Sequence, residues 1–340
     1  MQKYYAEEMT KDIPQRAEFV ESIHSFLQTS QACAEKDRIH FITPEKYKND
    51  PEMYREKFLD MLGFPLREKR EMPTLEKTFV ARDKNVDIFR LQFVFPNGLR
   101  YYGLYFRQVE DFENKPFLFG FHGGEGTPEL VSSIHLNSSN YNHLIRRLTD
   151  KGASVFVPQL LLWNINNYGN PYDRLEVDGR LRQLGGSITA FEIWLMQGAL
   201  DYFLANEGVN ADKVGVAGMS YGGMYALHFA AADPRVKACY SCSWVCDIFK
   251  WARPDWCYAN AQNSFAVAET AALIAPRPLV AAMGVDDEFY AHGADAECAK
   301  IAPYYEAFGK AENFKYVAFE GRHEVDKSDE EMDFLLNALK

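Results

Sequence analysis

The chain of 340 residues carries 37 basic and 48 acidic residues, which gives a formal net charge of −11. This acidic balance, without a basic run, argues against a nucleic acid or an anionic membrane surface as the main partner. Apolar residues make up 47% and charged residues 25%, as in soluble globular proteins. No uninterrupted apolar stretch is long enough to predict a membrane span, and the length allows one decorated domain or two domains.

The first residues, MQKYYAEEMTKDIPQ, lack the apolar core of a secretory signal, and six cysteines in such a chain fit a reducing compartment. We therefore expect a cytoplasmic protein. Cys239, Cys242 and Cys246 cluster, but a zinc site would need a further Cys or His pair at metal-ligand spacing, which the sequence lacks. We interpret the three as buried residues of a strand and the loop after it, and we expect no metal.

Residues 1–75 are predicted to form a helical extension packed on the core, and residues 76–340 the main domain. In DPEMYREKFLDMLGFP, apolar side chains recur on one helical face, and Gly63 ends the run before Pro65. This face is expected to dock on the core rather than to bind a ligand; its residues are Tyr54, Phe58, Met61 and Leu62.

A strand pair follows in LQFVFPNGLRYYGLYFRQ, with a turn at the Pro-Asn-Gly sequence. Short apolar runs then alternate with longer helical segments, which predicts an α/β fold with a mostly parallel sheet covered by helices on both faces. The predicted strands are 117–124, 153–160, 213–220, 237–244, 277–284 and 314–321. The predicted helices lie near 140–150, 186–207, 221–232, 293–309 and 328–339. Ligands of such sheets bind beyond the carboxyl ends of the strands.

The stretch KVGVAGMSYGG (213–223) holds a serine between glycines where a strand runs into a helix. This order is the context of a nucleophile elbow, in which the serine occupies a strained turn with its oxygen exposed. Gly218, Gly222 and Gly223 lack the Cβ atoms that would clash as the chain reverses. We therefore predict Ser220 as a nucleophile, the alternative being an ordinary tight turn between strand and helix.

A nucleophilic serine needs a base, and in this fold an acid and then a histidine follow the serine along the chain. Three histidines follow Ser220. His323, which comes after the last strand in FEGRHEVD, is predicted as the base in preference to His228, inside the helix after the elbow, and His292. HEVDK does not complete the HExxH motif of a zinc protease, because Lys327 occupies the fifth position.

The acid is expected in the loop after the 277–284 strand, in MGVDDEFY. The Gly-x-x-Asp spacing favours Asp287, with its neighbour Asp286 as competitor and Asp247 as an outside alternative. An acid here would hold the imidazole in one tautomer and stabilise its cationic form during attack. The other interpretation is an acidic turn that caps the next helix.

Two backbone N–H groups are expected to form an oxyanion hole. One belongs to Tyr221, at the N-terminus of the helix after the elbow. The other should come from FGFHGGEG (119–126), where Gly124 is the first candidate and Gly123 the second. His122 is expected to hold this loop through hydrogen bonds. The alternative for the glycine-rich segment is a flexible turn.

The segments FHGGEG, GVAGMSYGG, APRPLVAAMGVDDEFY and FEGRHE make the chain similar to α/β-hydrolases, and within them to the dienelactone hydrolase and acetyl xylan esterase-like enzymes, over about residues 80–340. The resemblance implies an α/β-hydrolase fold with Ser220 as nucleophile, Asp287 as acid and His323 as base. Dienelactone hydrolases carry a cysteine nucleophile, and carbohydrate deacetylases commonly have Gln where this chain has Tyr221. The elbow is also similar to that of prolyl-oligopeptidase-like peptidases, whose β-propeller a short helical extension cannot supply.

The predicted function is a serine hydrolase that cleaves carboxylic esters of small molecules through an acyl-enzyme, with a carbohydrate or small-molecule deacetylase as the narrower hypothesis. The resemblance implies no cofactor, and the sequence has no nucleotide-binding glycine motif in the required context. The alternatives are a small peptidase or amidase of the same fold and a non-catalytic ligand-binding scaffold. The sequence leaves the oligomeric state open.

Two segments are expected to form small cap or rim elements. Residues 161–186 are too long and too polar for a plain connection. Residues 243–265 are rich in aromatic side chains, including Trp244, Trp251 and Trp256. These tryptophans either stack on a flat ligand such as a sugar or pack the segment onto the core.

Overall fold

The computed structural model describes residues 4–135 and 139–340. Within these residues, nine strands form one sheet in the order β1-β2-β3-β5-β4-β6-β7-β8-β9. The strands from β5 to β9 in that order pair in parallel, and β1, β2 and β3 join them through antiparallel pairing. The strands are β1 (Thr74–Asp83), β2 (Val86–Val94), β3 (Arg100–Gln108), β4 (Phe117–Phe121), β5 (Ser154–Pro158), β6 (Val214–Met219), β7 (Ala238–Cys242), β8 (Leu279–Gly284) and β9 (Phe314–Phe319).

Helices connect the parallel strands and precede the sheet, as the alternation of apolar runs and helical segments predicts. They are α1 (Ile13–Phe41), α2 (Pro44–Asn49), α3 (Pro51–Leu62), α4 (Pro128–Val131), α5 (Leu144–Asp150), α6 (Ile165–Tyr168), α7 (Arg174–Gln183), α8 (Ile188–Asn206), α9 (Tyr221–Ala232), α10 (Val267–Ala272), α11 (Glu288–Ala291), α12 (Ala294–Ala307) and α13 (Glu330–Asn337). The predicted α/β fold with a mostly parallel sheet is confirmed.

The sheet separates two apolar cores, because alternate side chains of a strand point to opposite faces. In β4, Phe117, Phe119 and Phe121 enter the larger core, where α8, α9 and α12 pack, while Leu118 enters the smaller one. Helices α5 and α13 cover that second face. Strands buried on both faces read as continuous apolar runs, which is why the sequence predicts them so directly.

The hairpin of β2 and β3 turns where the sequence predicts it. Gly98 has φ of 87°, a left-handed conformation that glycine adopts without strain, and the Phe95 N–H donates to the Leu99 carbonyl at 2.9 Å. Strand β1, which begins at Thr74, has no counterpart in the prediction. It lies at the edge of the sheet and is exposed along most of its length, so it lacks the apolar signal of the inner strands.

The N-terminal helices differ in how they meet the rest of the chain. On α3, Tyr54, Phe58 and Leu62 are buried in the larger core, so the stripe docks there as predicted. Helix α1 buries only Ala34 and Arg38 near its end, and its earlier part exposes apolar side chains. None of the helices among the described residues combines the length and the apolar character needed to cross a bilayer.

The three clustered cysteines are buried on a strand and in the loop after it, as the sequence predicts. Cys239 and Cys242 are buried on β7, and Cys246 is buried in the loop after it. All six cysteines of the chain are free thiols. The cluster therefore serves packing on the strand and in the following loop.

Candidate active site

Ser220 lies between β6 and α9 in a conformation that is costly for a residue with a side chain. Its φ is 61° and its ψ −127°, and its backbone N–H donates to the Cys242 carbonyl at 2.8 Å. A Cβ at Gly218 would lie 2.2 Å from the Gly222 oxygen, and one at Gly222 would lie 2.4 Å from the Phe121 oxygen. The glycines thus allow a backbone contact that a side chain would prevent, as expected for a nucleophile elbow.

Asp287 and His323 form a hydrogen-bonded pair beyond the ends of β8 and β9. His323 Nδ1 and Asp287 Oδ2 are 2.8 Å apart, and the other carboxylate oxygen accepts the Phe289 N–H at 3.0 Å. The Phe289 ring stacks on the imidazole with centroids 5.2 Å apart. Asp287 therefore both caps α11 and orients the His323 ring, so both interpretations of this acidic turn apply.

The environment of Asp287 keeps the carboxylate ionised. Burial alone would raise its pKa, but the hydrogen bond and charge of His323, with the Phe289 N–H and the Ser243 hydroxyl, hold the pKa below its ordinary value. Its competitor Asp286 is exposed to solvent, and among the described residues no hydrogen bond or ion pair joins it to His323. A buried anion beside Nδ1 fixes the imidazole with its proton on that nitrogen, which leaves Nε2 free to act as a base.

The loop that carries His323 is fixed by side chains from the segment before and within α5. Asn140 Nδ2 donates to the His323 carbonyl at 2.8 Å, and the Val325 N–H donates to the Asn140 carbonyl at 2.8 Å. Arg147 reaches the Asp326 carbonyl at 2.6 Å. These bonds hold the backbone on both sides of the imidazole, so its position does not depend on Asp287 alone.

Cys242 links the histidine loop to the elbow. Its thiol donates to the Glu324 carbonyl at 3.3 Å, while its own carbonyl accepts the Ser220 N–H. In the described part of the chain, no hydrogen bond joins the Ser220 hydroxyl directly to His323. Such bonds often tighten only when substrate is bound, so the serine–histidine bond stays a prediction.

The alternative residues lie elsewhere. His228 is buried within α9, and its Nδ1–H donates to the Met224 carbonyl at 2.8 Å. His292 packs against the Trp251 ring, with centroids 5.3 Å apart. Asp247 accepts hydrogen bonds from Gln31 and from the backbone of its own turn. None of these three side chains contacts His323 or Asp287 among the described residues.

The two glycines of the HGG segment have different roles. The Gly123 N–H donates to the Tyr141 hydroxyl at 2.7 Å, so it already has an acceptor, and a Cβ at Gly123 would lie 3.1 Å from the Ser220 Cβ. Gly124 is exposed, and a Cβ there would lie 3.4 Å from the Tyr221 ring, beside the residue expected to supply the other donor. Gly124 and Tyr221 stay the predicted pair of donors, with Gly123 as the second candidate for the glycine donor.

His122 holds this loop as expected. Its Nδ1–H donates to the Gly123 carbonyl at 2.9 Å, and its Nε2 accepts the Leu160 N–H at 3.0 Å. Burial lowers the pKa of His122 to about 4, so the ring is neutral near pH 7. Both ring nitrogens are engaged, which excludes His122 as a general base.

A groove of about 460 Å³ opens beside the elbow. Gly124 and Tyr221 line it together with residues of the 161–186 segment and with Arg253 from the 243–265 segment. The Trp163 and Tyr172 rings pack at 4.2 Å between centroids on this wall. The 161–186 segment, with Arg253 of the 243–265 segment, thus lies along the groove that the two oxyanion candidates line.

A buried ion-pair network supports the groove, and sequence reasoning missed it. The Tyr221 hydroxyl donates to Asp255 Oδ2 at 2.8 Å, and Arg174 Nε donates to the same oxygen at 2.7 Å. Arg174 also donates to the Tyr225 hydroxyl at 2.8 Å and pairs with Glu192 at 3.2 Å. Asp255 and Arg174 are 81 residues apart along the chain, and no local pattern marks either of them.

The tryptophans of the 243–265 segment pack inward rather than face the groove. Trp244 and Trp256 are buried, and their rings lie 6.5 and 5.2 Å from the Tyr221 ring between centroids. Trp251 is half-buried against Phe289, with centroids 4.6 Å apart. Of the two interpretations, packing of the segment onto the core is therefore the one that applies.

Known proteins resemble this chain in part of its sequence and in its fold. The profile of the dienelactone hydrolase family matches residues 133–300, which include Ser220 and Asp287. The "Putative hydrolase YtaP" of Bacillus subtilis is 32% identical over 37% of this chain, and acylamino-acid-releasing enzyme 2 of Oryza sativa is 28% identical over 47%. These matches span only 45% and 19% of the two relatives, less than half of each.

A solved structure from Bacteroides fragilis, described as a putative acetyl xylan esterase, has a similar fold over nearly the whole chain. The superposition has a TM-score of 0.69 and covers 91% of this chain and 89% of that one, at 14% identity. The predicted resemblance is confirmed. The chain therefore has an α/β-hydrolase fold, and its residues 133–300 match the dienelactone hydrolase family.

Proposed function

We propose that this protein is a serine carboxylesterase that hydrolyses esters of small molecules through an acyl-enzyme on Ser220. The observation that carries the proposal is the Asp287–His323 pair, 2.8 Å apart, on the sheet edge where Ser220 occupies its strained turn. An acid, an imidazole and a half-buried serine at this edge match the requirements of nucleophilic catalysis. The similarity to hydrolases supports the same reaction class.

In the proposed reaction, the Ser220 oxygen attacks the ester carbonyl carbon while His323 Nε2 takes the hydroxyl proton. The oxyanion that forms accepts hydrogen bonds from the Tyr221 and Gly124 N–H groups, and the Asp287 carboxylate stabilises the imidazolium. The carbon–oxygen bond to the alcohol then breaks, and His323 gives its proton to the leaving alkoxide. Water, deprotonated by His323, then attacks the acyl carbon; the bond to the Ser220 oxygen breaks, this oxygen takes the proton back from His323, and the carboxylic acid is released.

Acetylated carbohydrates and other small acetyl esters are the proposed substrate class. The groove beside the elbow mixes polar side chains with the Trp163–Tyr172 pair, and such a surface suits a polyhydroxylated ligand with apolar faces. The Bacteroides fragilis structure with a similar fold, which is described as a putative acetyl xylan esterase, supports this choice. Six free thiols support a reducing compartment as the site of action.

Hydrolysis of an acylated amino acid or peptide amide is the second candidate, and one observation favours it. The rice acylamino-acid-releasing enzyme is 28% identical over 164 residues of its chain. The same serine chemistry cleaves amides and esters, so the two candidates differ in leaving group and in groove contacts rather than in catalytic residues.

Hydrolysis of p-nitrophenyl acetate, acetylated xylo-oligosaccharide and acetyl-alanine p-nitroanilide by the wild type and by Ser220→Ala tests the proposal. Alanine keeps the Cβ and therefore the strained backbone, so the variant should fold and lose about 10⁴-fold or more in kcat. His323→Ala should lose a similar factor, while His292→Ala, the matched control after the neighbouring strand, should retain activity.

Undiminished turnover by Ser220→Ala would remove this serine from the mechanism. Faster cleavage of the anilide than of either ester would favour the amidase. A folded wild-type protein without turnover of any ester or amide would instead favour a ligand-binding scaffold.

A further inference from the structure

The first half of α1 extends from the body of the protein. Every residue from 13 to 29 is exposed, and the helix is fully buried only at Ala34 and Arg38. Among the described residues, Gln31 is the first of the helix whose side chain hydrogen-bonds to the main domain, at 3.2 Å from Asp247. A helix of this length without tertiary packing is only marginally stable in water, because helices in proteins are stabilised mainly by packing of an apolar face. The first half of α1 therefore lacks the surface that would stabilise it.

An apolar stripe, here called the α1 stripe, follows this exposed part of the helix. Its members recur at intervals of three, four and seven residues, so they share one side of the helix. They are Ile13, Phe19, Val20, Ile23, Phe26 and Leu27, with exposed fractions from 39% to 69%. The acidic Glu18 and Glu21 lie on the opposite side. Ala34 follows Leu27 by seven residues, so the stripe continues the side by which the end of α1 docks on its own chain.

The exposed area of the α1 stripe is larger than a monomeric protein usually presents. A fully exposed side chain of this size has about 150–200 Å² of surface, so the six members at their exposed fractions present about 600 Å² together. Contiguous apolar patches on soluble monomers rarely exceed a few hundred Å², and larger ones mark interaction sites. Two such stripes that face each other bury about 1,200 Å², which reaches the lower limit for a specific protein interface before any polar flank is counted.

The charges near the stripe favour a protein surface over a membrane. Helices that lie on a membrane surface are rich in Lys and Arg on their polar side, whereas residues 4–29 include five acidic and only two basic residues. One of these two, Arg16, lies within the stripe, where its guanidinium donates to Asp12 Oδ1 at 3.0 Å. This charge is therefore balanced within one chain, so a contact over the stripe buries no uncompensated charge and needs no opposite charge on the partner.

We propose that the α1 stripe is a dimer interface, which is covered by the same stripe of a second copy of this chain. A two-fold axis brings one patch against itself, so each chain covers the apolar side chains of the other and no further surface is required. The contact removes Phe19 and Phe26, the most exposed members of the stripe, from water. It also supplies the packing that the first half of α1 lacks in a single chain.

Sedimentation velocity of the purified full chain, between about 1 and 100 µM, tests the proposal. At the upper concentrations the wild type should sediment with twice the mass of one chain, with a Kd of about 1–10 µM for an interface of this size. Phe19→Glu combined with Phe26→Glu places like charges in the stripe and should raise this Kd about 100-fold or more. Both phenylalanines are exposed, so the double variant keeps the core intact.

Ser25→Glu combined with Gln28→Glu is the matched control, because both residues are exposed on the opposite side of α1 and the change in charge is the same. This variant should dimerise like the wild type. Vesicles of phosphatidylcholine and phosphatidylserine, added to the wild type, should not co-sediment with it. A monomeric wild type, a dimer that survives the two phenylalanine substitutions, an equal loss of dimer in the control, or binding to the vesicles through the stripe would overturn the proposal.

Discussion

Removal of the Tyr221 hydroxyl should show how much its hydrogen bond to Asp255 helps to hold the proposed oxyanion donor, the Tyr221 backbone N–H, in place. Tyr221→Phe deletes the hydrogen bond to Asp255 but keeps the packing of the ring against Trp244 and Trp256 and keeps the backbone N–H that is the proposed donor. Asp255 also retains Arg174, because both donors share one carboxylate oxygen. The substitution should therefore loosen the position of Tyr221, which follows the proposed nucleophile Ser220, without removing a proposed catalytic group.

The magnitude follows from the kind of bond that is lost. A hydrogen bond to a charged group contributes about 1.5–3 kcal/mol, so the free energy of unfolding should fall by about that amount. Deletion of an oxyanion donor costs about 3 kcal/mol of barrier, a hundredfold or more in kcat. Since the N–H remains and only its placement relaxes, we expect a loss of about tenfold in kcat with little change in KM.

Tyr225→Phe is the matched control, since its hydroxyl bonds Arg174 and Glu192 in the same network one turn farther along α9. Urea unfolding should find a similar loss of stability in both variants, while p-nitrophenyl acetate kinetics should find reduced kcat only in Tyr221→Phe. Equal kcat losses in the two variants, or an unchanged kcat in Tyr221→Phe, would refute the idea that this network positions the oxyanion donor.

Three other predictions concern the acid, the histidine loop and acid stability. Asp287→Asn should lower kcat by about 10⁴-fold, because the imidazole loses its fixed tautomer, whereas Asp286→Asn should remain active; the reverse result in ester kinetics would exchange their roles. Asn140→Ala frees the His323 carbonyl and should lower kcat about two- to tenfold at constant KM, and a change in KM alone would contradict a positioning role. The pKa of His228 is about 4 in the folded chain, below its ordinary value of about 6.5. As the pH falls, the unfolded chain therefore takes up a proton at this residue before the folded chain does. The free energy of unfolding should therefore decrease by about 3 kcal/mol because of this residue between about pH 6.5 and pH 4. Urea unfolding of His228→Gln at a series of pH values should show a decrease that is smaller by this amount.

The fold was predictable from the sequence because most of its strands are buried on both faces. The apolar runs at β4 and β6 have no polar alternation, and each is followed by a helical segment long enough for a crossover. Strand β1 escaped prediction for the opposite reason, since an exposed edge strand carries neither alternation nor an apolar run. The exposure of most of α1 was also not foreseen, because its apolar residues look like those of a docked helix.

In the candidate site, some residues are marked by local sequence patterns, whereas the roles of others depend on contacts between distant segments. Ser220, Asp287 and His323 each follow a recognisable strand, so chain order and spacing were enough to propose them as catalytic residues. The roles of Asp255 and Arg174 depend on contacts between distant segments, and many polar residues of those segments look equivalent in the sequence. Only the coordinates identify Tyr141 as the acceptor of the Gly123 N–H.

The order of the strands places the histidine far from its serine along the sheet. Strand β9 is the third strand beyond β6, about 14 Å away at the usual spacing of neighbouring strands. The loop at 320–329 must therefore fold back across two strand ends, and Asn140 and Arg147, more than 170 residues earlier, hold it there. The C-terminal part of the chain thus supplies the imidazole but does not determine its location. A hybrid that joined this C-terminal part to another hydrolase without the segment at 139–147 would contain the proposed base His323 but not the side chains that hold its loop in place.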